Sequence, residues 1–197
     1  MFFTISIYVI EQYLTFPSGA QVQDRFSEGL LMTLMELGPR ALATPKDYEV
    51  RASLMWAATL ALNGVIGAGV PQDWATHMIG HELTAQFGID HAQTLAVVLP
   101  SLLSERRDAK HAKLLQYGER VLGITSGSES VRIQAAIDAT RAFFERMGIP
   151  TRLQAYGVVL ESIDALVAQL QSHGMTALGE HRDLTLEDSR RVLISCF

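Results

Sequence analysis

Three of the six histidines in the chain lie close together in the sequence, at His77, His81 and His91. His77 and His81 are four residues apart, so on a helix both imidazoles leave the same face, one turn apart. Gly88 predicts the end of that helix, and a reversing chain would bring His91 back over the pair. Neutral imidazoles that converge in this way are ligands for a borderline divalent metal. The spacing therefore predicts one cavity that the three histidines share.

A second interpretation of the same histidines stays open. Two histidines one turn apart are also typical of a solvated or hydrogen-bonded pair that binds no metal. The spacing is not that of the helical zinc proteases, because Glu82 follows His81 but no histidine lies four residues further on. The other three histidines are predicted to be surface residues, and they are His111, His173 and His181.

Hydrophobic periodicity predicts helices along nearly the whole chain, so the predicted fold class is all-α, a helical bundle. Gly38-Pro39 is expected to end a helix that starts near Ala20, and Asp47 to cap the next one. Ser126 to Glu129 resembles a capping box. The best strand candidate is the short segment from Tyr156 to Leu160. The remaining helices are predicted over Asp73–Gly88, His91–Leu103, Ala109–Leu122, Val131–Met147, Ser162–Gln171 and from Thr185.

Composition and charge limit the classes of partner. A chain of 197 residues with 48% hydrophobic and 19% charged residues is suited to one folded domain, residues 1–197. A net charge of −5 gives no reason to expect nucleic acid or an anionic membrane as a partner. The apolar segment Met1 to Phe16 is too short and too interrupted to span a bilayer, and is expected to be a buried helix or strand.

Two predictions concern groups near the surface. The single cysteine, Cys196, cannot form an internal disulfide, so a reducing cytoplasm is the expected compartment. Its place next to the C-terminus suggests a free thiol in a flexible tail. A run of basic residues is expected to form a solvated face, and consists of Arg106, Arg107, Lys110 and Lys113.

The residues around the histidines also carry a family resemblance. The stretch from Gly69 to Leu83, followed by Gly88 to Pro100, resembles the iron-containing (group III) alcohol dehydrogenase family. The resemblance is strongest to its NADP-dependent aldehyde reductase and butanol dehydrogenase branch, and runs from about Glu11 to Arg191. Other segments in the same order are Glu11-Gln12-Tyr13, Gln23 to Phe26, Met55 to Thr59 and Asp188 to Arg191.

The resemblance implies a fold and an activity. It implies the C-terminal, metal-binding helical domain of these enzymes, which interconvert alcohols and aldehydes with NAD(P). It implies that His77 and His91 are metal ligands, and that His81 is a catalytic residue beside the nicotinamide and the substrate. The implied partners are a small alcohol or aldehyde, together with a divalent metal such as Fe, Zn or Ni.

Two departures from the family pattern change that expectation. The family carries a dinucleotide-binding domain upstream, which these residues do not include, and it takes two more metal ligands, an Asp and a His, from the first helix. Alignment on Glu11 places Thr4 and Tyr8 at those two positions. We therefore expect a truncated metal-site half, inactive alone, that binds metal weakly or not at all and associates with itself or with a separate nucleotide-binding chain. The alternative is a non-catalytic helical packing or assembly module derived from that family.

Overall fold

The computed structural model describes residues 2–197, with side chains from Thr4 onward. This part of the chain contains nine α-helices and two 3₁₀ turns, so the all-α prediction is confirmed. The helices are α1 (Phe2–Tyr13), α2 (Gln21–Ala43), α3 (Tyr48–Leu62), α4 (Ala75–Phe87), α5 (His91–Glu105), α6 (His111–Arg120), α7 (Glu129–Arg146), α8 (Ile163–Ser172) and α9 (Leu186–Ser195), and the 3₁₀ turns are Leu153–Tyr156 and Leu160–Ser162.

Helix α5 is the centre of the bundle. All ten residues from Thr94 to Leu103 are buried, which requires neighbours on every side of the helix. It packs against α1, α4, α7 and α9. One hydrophobic cluster fills the space between α5 and helices α1, α2, α3, α6 and α7, and a second fills the space between α5 and helices α4, α8 and α9. Helix α5 therefore carries His91 at its first residue into the boundary between two cores.

The apolar N-terminal segment forms the buried helix α1, with Met1 outside the described residues. Three consecutive residues near its end anchor it to three other helices. Glu11 contacts the start of α4, Gln12 Nε2 donates to the Ala61 carbonyl of α3 at 2.8 Å, and the Tyr13 hydroxyl donates to Glu28 of α2 at 2.9 Å. Because these bonds are buried, they fix the position of α1 relative to α4.

Several predicted helix ends are confirmed. Asp47 accepts a hydrogen bond from the Val50 amide at 3.2 Å, and Thr185 with Asp188 forms a capping box at the start of α9. Gly88 ends α4 in the left-handed conformation, with φ of 67°. A residue with a Cβ is disfavoured there, which explains why a glycine ends this helix.

Three predictions about local structure were wrong. Helix α2 continues through Gly38 and Pro39 to Ala43, because Gly38 is buried and leaves room for Met147 rather than ending the helix. The cap of α7 is Ser128, which accepts from the Val131 amide, and not Ser126, with which the predicted capping box began. The segment Tyr156 to Leu160 forms no strand, since Gly157 turns the chain at φ of 73° between the two 3₁₀ turns. Within residues 2–197, β pairing is limited to an isolated bridge between Leu178 and Leu184.

The predictions for the basic run and for the cysteine were also wrong. Lys110 and Lys113 are buried, because each points inward to carboxylates from other segments, Lys110 to Asp73 and Lys113 to Asp24. Cys196 is fully buried against α5, since α9 continues to Ser195 and holds it there. Local composition predicts solvent exposure in all three cases, whereas the packing of distant segments reverses it.

None of the helices in residues 2–197 combines the length and the apolar character needed to cross a bilayer.

Candidate metal centre

Helix α4 and the start of α5 bring the three histidines together. The ring centroids of His77 and His81 are 6.1 Å apart, those of His77 and His91 5.3 Å, and those of His81 and His91 5.1 Å. Gly80, on α4, contributes to this close approach, because a Cβ there would lie only 3.1 Å from atoms of Leu95 and Thr94 in α5. The lack of a side chain at Gly80 lets α5 approach, and with it His91.

The start of α4 is held by residues on both sides of Trp74. Trp74 has φ of 62°, a left-handed conformation that costs a residue with a Cβ about 1–2 kcal/mol. That turn places the indole 5.3 Å from the His77 ring, centroid to centroid, while its Nε1 donates to Gln72 at 2.8 Å. Asp73, which was predicted to begin this helix, accepts from the Ala75 amide at 3.0 Å, but the N-cap residue is Trp74, so Asp73 lies one residue before the cap.

A carboxylate from α1 completes the cap and contacts a histidine. Glu11 Oε1 accepts from the Thr76 amide at 2.7 Å, and Glu11 Oε2 is hydrogen-bonded to His77 Nδ1. Both Glu11 and His77 are buried, at 2% and 4% exposure. Burial raises the pKa of Glu11 above its ordinary value, although the hydrogen bond with His77 opposes that rise. The other ring nitrogen, His77 Nε2, is buried with no hydrogen-bond partner in the described residues.

His81 and His91 lie closer to solvent. His81 is exposed and His91 half-buried. Partial burial, and then the neighbouring His77, lowers the pKa of both imidazoles below 6.5. Both rings are therefore neutral near pH 7, and each has one nitrogen lone pair with which to bind a metal or accept a proton.

Helix α1 places Tyr8 against the same histidines. The Tyr8 and His77 ring centroids are 4.6 Å apart. Thr4, one turn earlier on α1, has a buried hydroxyl oxygen without a hydrogen-bond partner in the described part of the chain. The two residues that replace the expected Asp and His thus lie on a helix that does reach the histidines.

The donor set fits a metal in part. His77 Nε2 is a buried nitrogen acceptor or donor with no partner, and its Nδ1 is held by a carboxylate, as in many metal-ligating histidines. However, residues 2–197 contain no group of three or more His, Cys, Asp or Glu side chains arranged to hold a metal ion. The site as built offers His77, with His91 and His81 nearby, and lacks the carboxylate that iron-binding sites favour.

The remaining histidines are at the surface, as predicted. His111 pairs with Glu129 at 3.2 Å, and His173 pairs through Nδ1 with Glu82 at 2.7 Å. His181 is exposed and stacks on Phe16 with ring centroids 4.7 Å apart. Each lies outside the group formed by the other three.

The sequence interpretation missed Glu11, Trp74 and Gly80. Glu11 is 66 positions from His77, so no helical spacing connects the two residues. The signal available was that Glu11 belongs to one of the segments that carry the family resemblance. The left-handed conformation of Trp74 has no sequence signal, because a tryptophan is not expected there.

Comparison with known proteins identifies relatives of the chain. A family model described as "Fe-containing alcohol dehydrogenase family, C-terminal" matches residues 5–195. The chain is 63% identical over 186 residues to the NADPH-dependent aldehyde reductase YqhD of Escherichia coli, covering 94% of this chain and 48% of that protein. It is 33% identical over 187 residues to the NADH-dependent butanol dehydrogenase A of Clostridium acetobutylicum, covering 93% of this chain and 48% of that protein.

Solved structures agree with the sequence comparison. The substrate- and cofactor-free form of the E. coli aldehyde reductase superposes with a TM-score of 0.98 at 59% identity, covering 100% of this chain and 52% of that one. The NADH-dependent butanol dehydrogenase A of Thermotoga maritima superposes with a TM-score of 0.90 at 29% identity, covering 98% of this chain and 50% of that one. The chain spans about half the length of the curated relatives it matches.

Proposed function

The chain belongs to the Fe-containing alcohol dehydrogenase family, and on that premise we propose that it is the metal-site half of an NAD(P)-dependent enzyme that interconverts alcohols and aldehydes. The observation that carries the proposal is the buried, unpartnered Nε2 of His77 beside the rings of His81 and His91. A buried nitrogen with no partner is costly unless a ligand pairs with it.

The proposed roles follow from the position of each ring. His77 and His91 would hold the metal, His77 through Nε2, while Glu11 is hydrogen-bonded to the Nδ1 of His77. A metal held there would polarise a carbonyl or alkoxide oxygen, and a nicotinamide would supply or accept the hydride. His81, exposed at the edge of the group, accepts or delivers a proton at the substrate oxygen. Trp74 and Tyr8 exclude water from the His77 side.

We propose that the nicotinamide is held by residues other than these. Within residues 2–197 there is no β-sheet on which a dinucleotide fold is built, only an isolated bridge. Positioning of two reactants contributes about 7–11 kcal/mol to lowering a barrier, so the 197 residues acting alone should transfer no hydride.

The proposed compartment is the cytoplasm, since a single cysteine cannot form an internal disulfide.

A second candidate function is a non-catalytic helical packing or assembly module. It is favoured by one observation, that the described residues form no three-ligand group of His, Cys, Asp or Glu. Thr4 and Tyr8 stand where the family resemblance places the two missing ligands. On this alternative the histidine group persists as a remnant, and His77 Nε2 binds nothing.

Association with another polypeptide is part of either proposal. Tyr48, Met55 and Trp56 of α3 are 77%, 73% and 67% exposed and line an open, mainly apolar groove. Apolar patches of this kind are commonly covered by a partner. We propose that a second copy of the chain or a nucleotide-binding polypeptide covers the groove. Light scattering across concentrations tests this, and a strictly monomeric chain that also fails to bind a nucleotide-binding half would contradict it.

The metal-site proposal is tested by calorimetric titration of the metal-free chain with Zn²⁺. We expect binding by the unmodified chain and its loss in His77→Ala and His91→Ala. His111→Ala is the matched control, because His111 is a surface histidine paired with one glutamate. Absence of Zn²⁺ binding to the unmodified chain would favour the packing module. Oxidation of NADPH with butanal by the chain alone, lost in His81→Ala, would contradict the proposal that the nicotinamide is held elsewhere.

A further inference from the structure

Glu11 joins helix α1 to the first turn of α4 through three contacts. Its carbonyl oxygen accepts from the Asp73 amide at 2.9 Å, its Oε1 accepts from the Thr76 amide at 2.7 Å, and its Oε2 is hydrogen-bonded to His77 Nδ1. A backbone amide can only donate, so the Thr76 contact fixes Oε1 as an acceptor. The carboxylate therefore has a defined orientation, set independently of His77.

The orientation of the carboxylate determines what the imidazole can do. A neutral imidazole carries one proton, on either Nδ1 or Nε2, and the nitrogen without the proton has the lone pair. An ionised Glu11 can only accept, so its Oε2 pairs with a proton on Nδ1, and the lone pair is on Nε2. His77 Nε2 is the buried nitrogen that has no partner within residues 2–197.

We propose that Glu11 is a positioning residue that holds His77 in the Nδ1–H tautomer, so that Nε2 presents its lone pair to a metal ion. This inference rests on the proposed metal-site function. A histidine ligand is commonly oriented by a carboxylate on its other nitrogen, and loss of such a partner lowers metal affinity about 10–100-fold. Glu11 touches the metal ligand and not the metal, so its effect is indirect.

Glu11→Gln separates the tautomer from the packing. The glutamine oxygen can still accept from the Thr76 amide, but its NH₂ group then faces His77 Nδ1 and can only donate. The ring proton moves to Nε2, which removes the lone pair while the shape of the site is kept. We expect about 10–100-fold weaker Zn²⁺ binding by calorimetry. The ¹⁵N NMR shifts of the His77 ring at pH 8 should report Nδ1–H in the unmodified chain and Nε2–H in the variant.

Helix α4, which carries His77, supplies a matched control. Glu82 is a buried glutamate of α4 that contacts a histidine Nδ1, that of His173, at 2.7 Å. Glu82→Gln removes a buried carboxylate that pairs with a histidine Nδ1, as Glu11→Gln does, but that histidine is His173 and not His77. We expect unchanged Zn²⁺ affinity and an unchanged His77 tautomer, so a loss in both variants would overturn the proposal in favour of a general effect of charge.

The outcomes separate this inference from the proposed function. Nε2–H in the unmodified chain, or unchanged Zn²⁺ affinity in Glu11→Gln, overturns the role of Glu11. If the unmodified chain binds no Zn²⁺, the metal-site function fails, while the NMR shifts still decide which tautomer Glu11 selects. If Glu11→Gln does not fold, Glu11→Asp replaces it, because an aspartate carboxylate also only accepts. Nδ1–H at His77 in both Glu11→Asp and the unmodified chain would support the role of Glu11, and Nε2–H would overturn it.

Discussion

Two buried polar clusters meet at Asp73 and differ in how completely their atoms are paired. In the Lys110 cluster (Lys110, Asp73 and Glu180), the ammonium group contacts the Leu14 carbonyl at 2.7 Å, Asp73 at 2.9 Å and Glu180 at 2.7 Å. These contacts use all three of its protons. In the Glu11 cluster (Glu11, Thr76 and His77), the Thr76 hydroxyl oxygen and His77 Nε2 are both buried without a hydrogen-bond partner in the described residues, and Nε2 is the unpaired nitrogen.

The comparison shows how buried polarity divides between stability and binding. Lys110 is 1% exposed and His77 4%, so solvent access does not distinguish them. What differs is that a fully paired cluster has nothing left to bind a ligand, whereas an unpaired buried nitrogen costs free energy until a ligand supplies the missing partner. The Lys110 cluster links three distant segments, whereas the Glu11 cluster leaves a buried nitrogen unpaired beside His81 and His91.

The largest expected effect comes from breaking the closed cluster. Lys110→Met leaves two buried carboxylates without their cation, so we expect a loss of about 3–5 kcal/mol in the free energy of unfolding. Chemical denaturation measures it. Lys46→Met is the control, because Lys46 is exposed and its replacement should change stability by less than about 0.5 kcal/mol. If both variants lost the same free energy of unfolding, the ion pairs of the Lys110 cluster would contribute no more to stability than an exposed lysine does.

A second closed cluster surrounds Glu28 and gives a pH-dependent test. Burial by itself would raise the pKa of Glu28, but hydrogen bonds from Gln116, Arg120 and Tyr13 outweigh it and lower the pKa below 4.5. A lowered pKa stabilises the fold above pH 4.5, and this stabilisation is lost as the pH falls through the lowered pKa. Glu28→Gln should therefore lose about 2 kcal/mol at pH 7, the order of a hydrogen bond to a charged group.

The measurement is denaturation of the Glu28→Gln variant and the unmodified chain between pH 7 and pH 3. The difference between them should shrink as the pH falls from 4.5 through the lowered pKa of Glu28. Glu36→Gln is the control, since the Glu36 side chain is 74% exposed and lies 4.0 Å from Arg40. A difference that does not depend on pH would mean that the shape of the side chain at position 28 matters, and its charge does not.

A smaller effect, about tenfold in affinity or 1.4 kcal/mol, tests whether the open cluster can be completed. Tyr8 already lies against His77, with Thr4 one turn away on α1. Thr4→Asp with Tyr8→His should add a carboxylate and an imidazole, and so tighten Zn²⁺ binding measured by calorimetry. Tyr48→His, on an exposed residue of α3, is the control. Equal affinities of the double variant and the unmodified chain would mean that α1 contributes no ligand.

The smallest expected effect is very slow alkylation of the buried Cys196 thiol in the folded chain. Cys196 contacts the Val192 carbonyl oxygen at 3.2 Å, and burial raises the pKa of its thiol to about 11. Because the thiolate is the reactive form, iodoacetamide should modify the folded chain very slowly at pH 8 and the urea-unfolded chain rapidly. Mass spectrometry measures both. Rapid modification of the folded chain would mean that α9 opens readily.

Much of the fold could be predicted from local patterns. Helical periodicity, Asp47, the Thr185 capping box and Gly88 are features of neighbouring residues, and the structure has them where the patterns indicate. The pair His77 and His81 is likewise local, since its one-turn spacing follows from the helix itself. The approach of His91 needed only a helix end and a reversal of the chain.

Contacts between distant segments decided the rest. Lys110 is buried by segments 37 or more residues away, and Cys196 is buried against α5. Local composition predicts that both are exposed. The pairing of Glu11 with His77 joins residues 66 positions apart. A spacing rule describes one helix at a time, so it cannot tell which carboxylate reaches which histidine. The sequence determined that His77 and His81 share one face of a helix, while only the tertiary structure decided which nitrogen stays unpaired, because that depends on how α1 packs against α4.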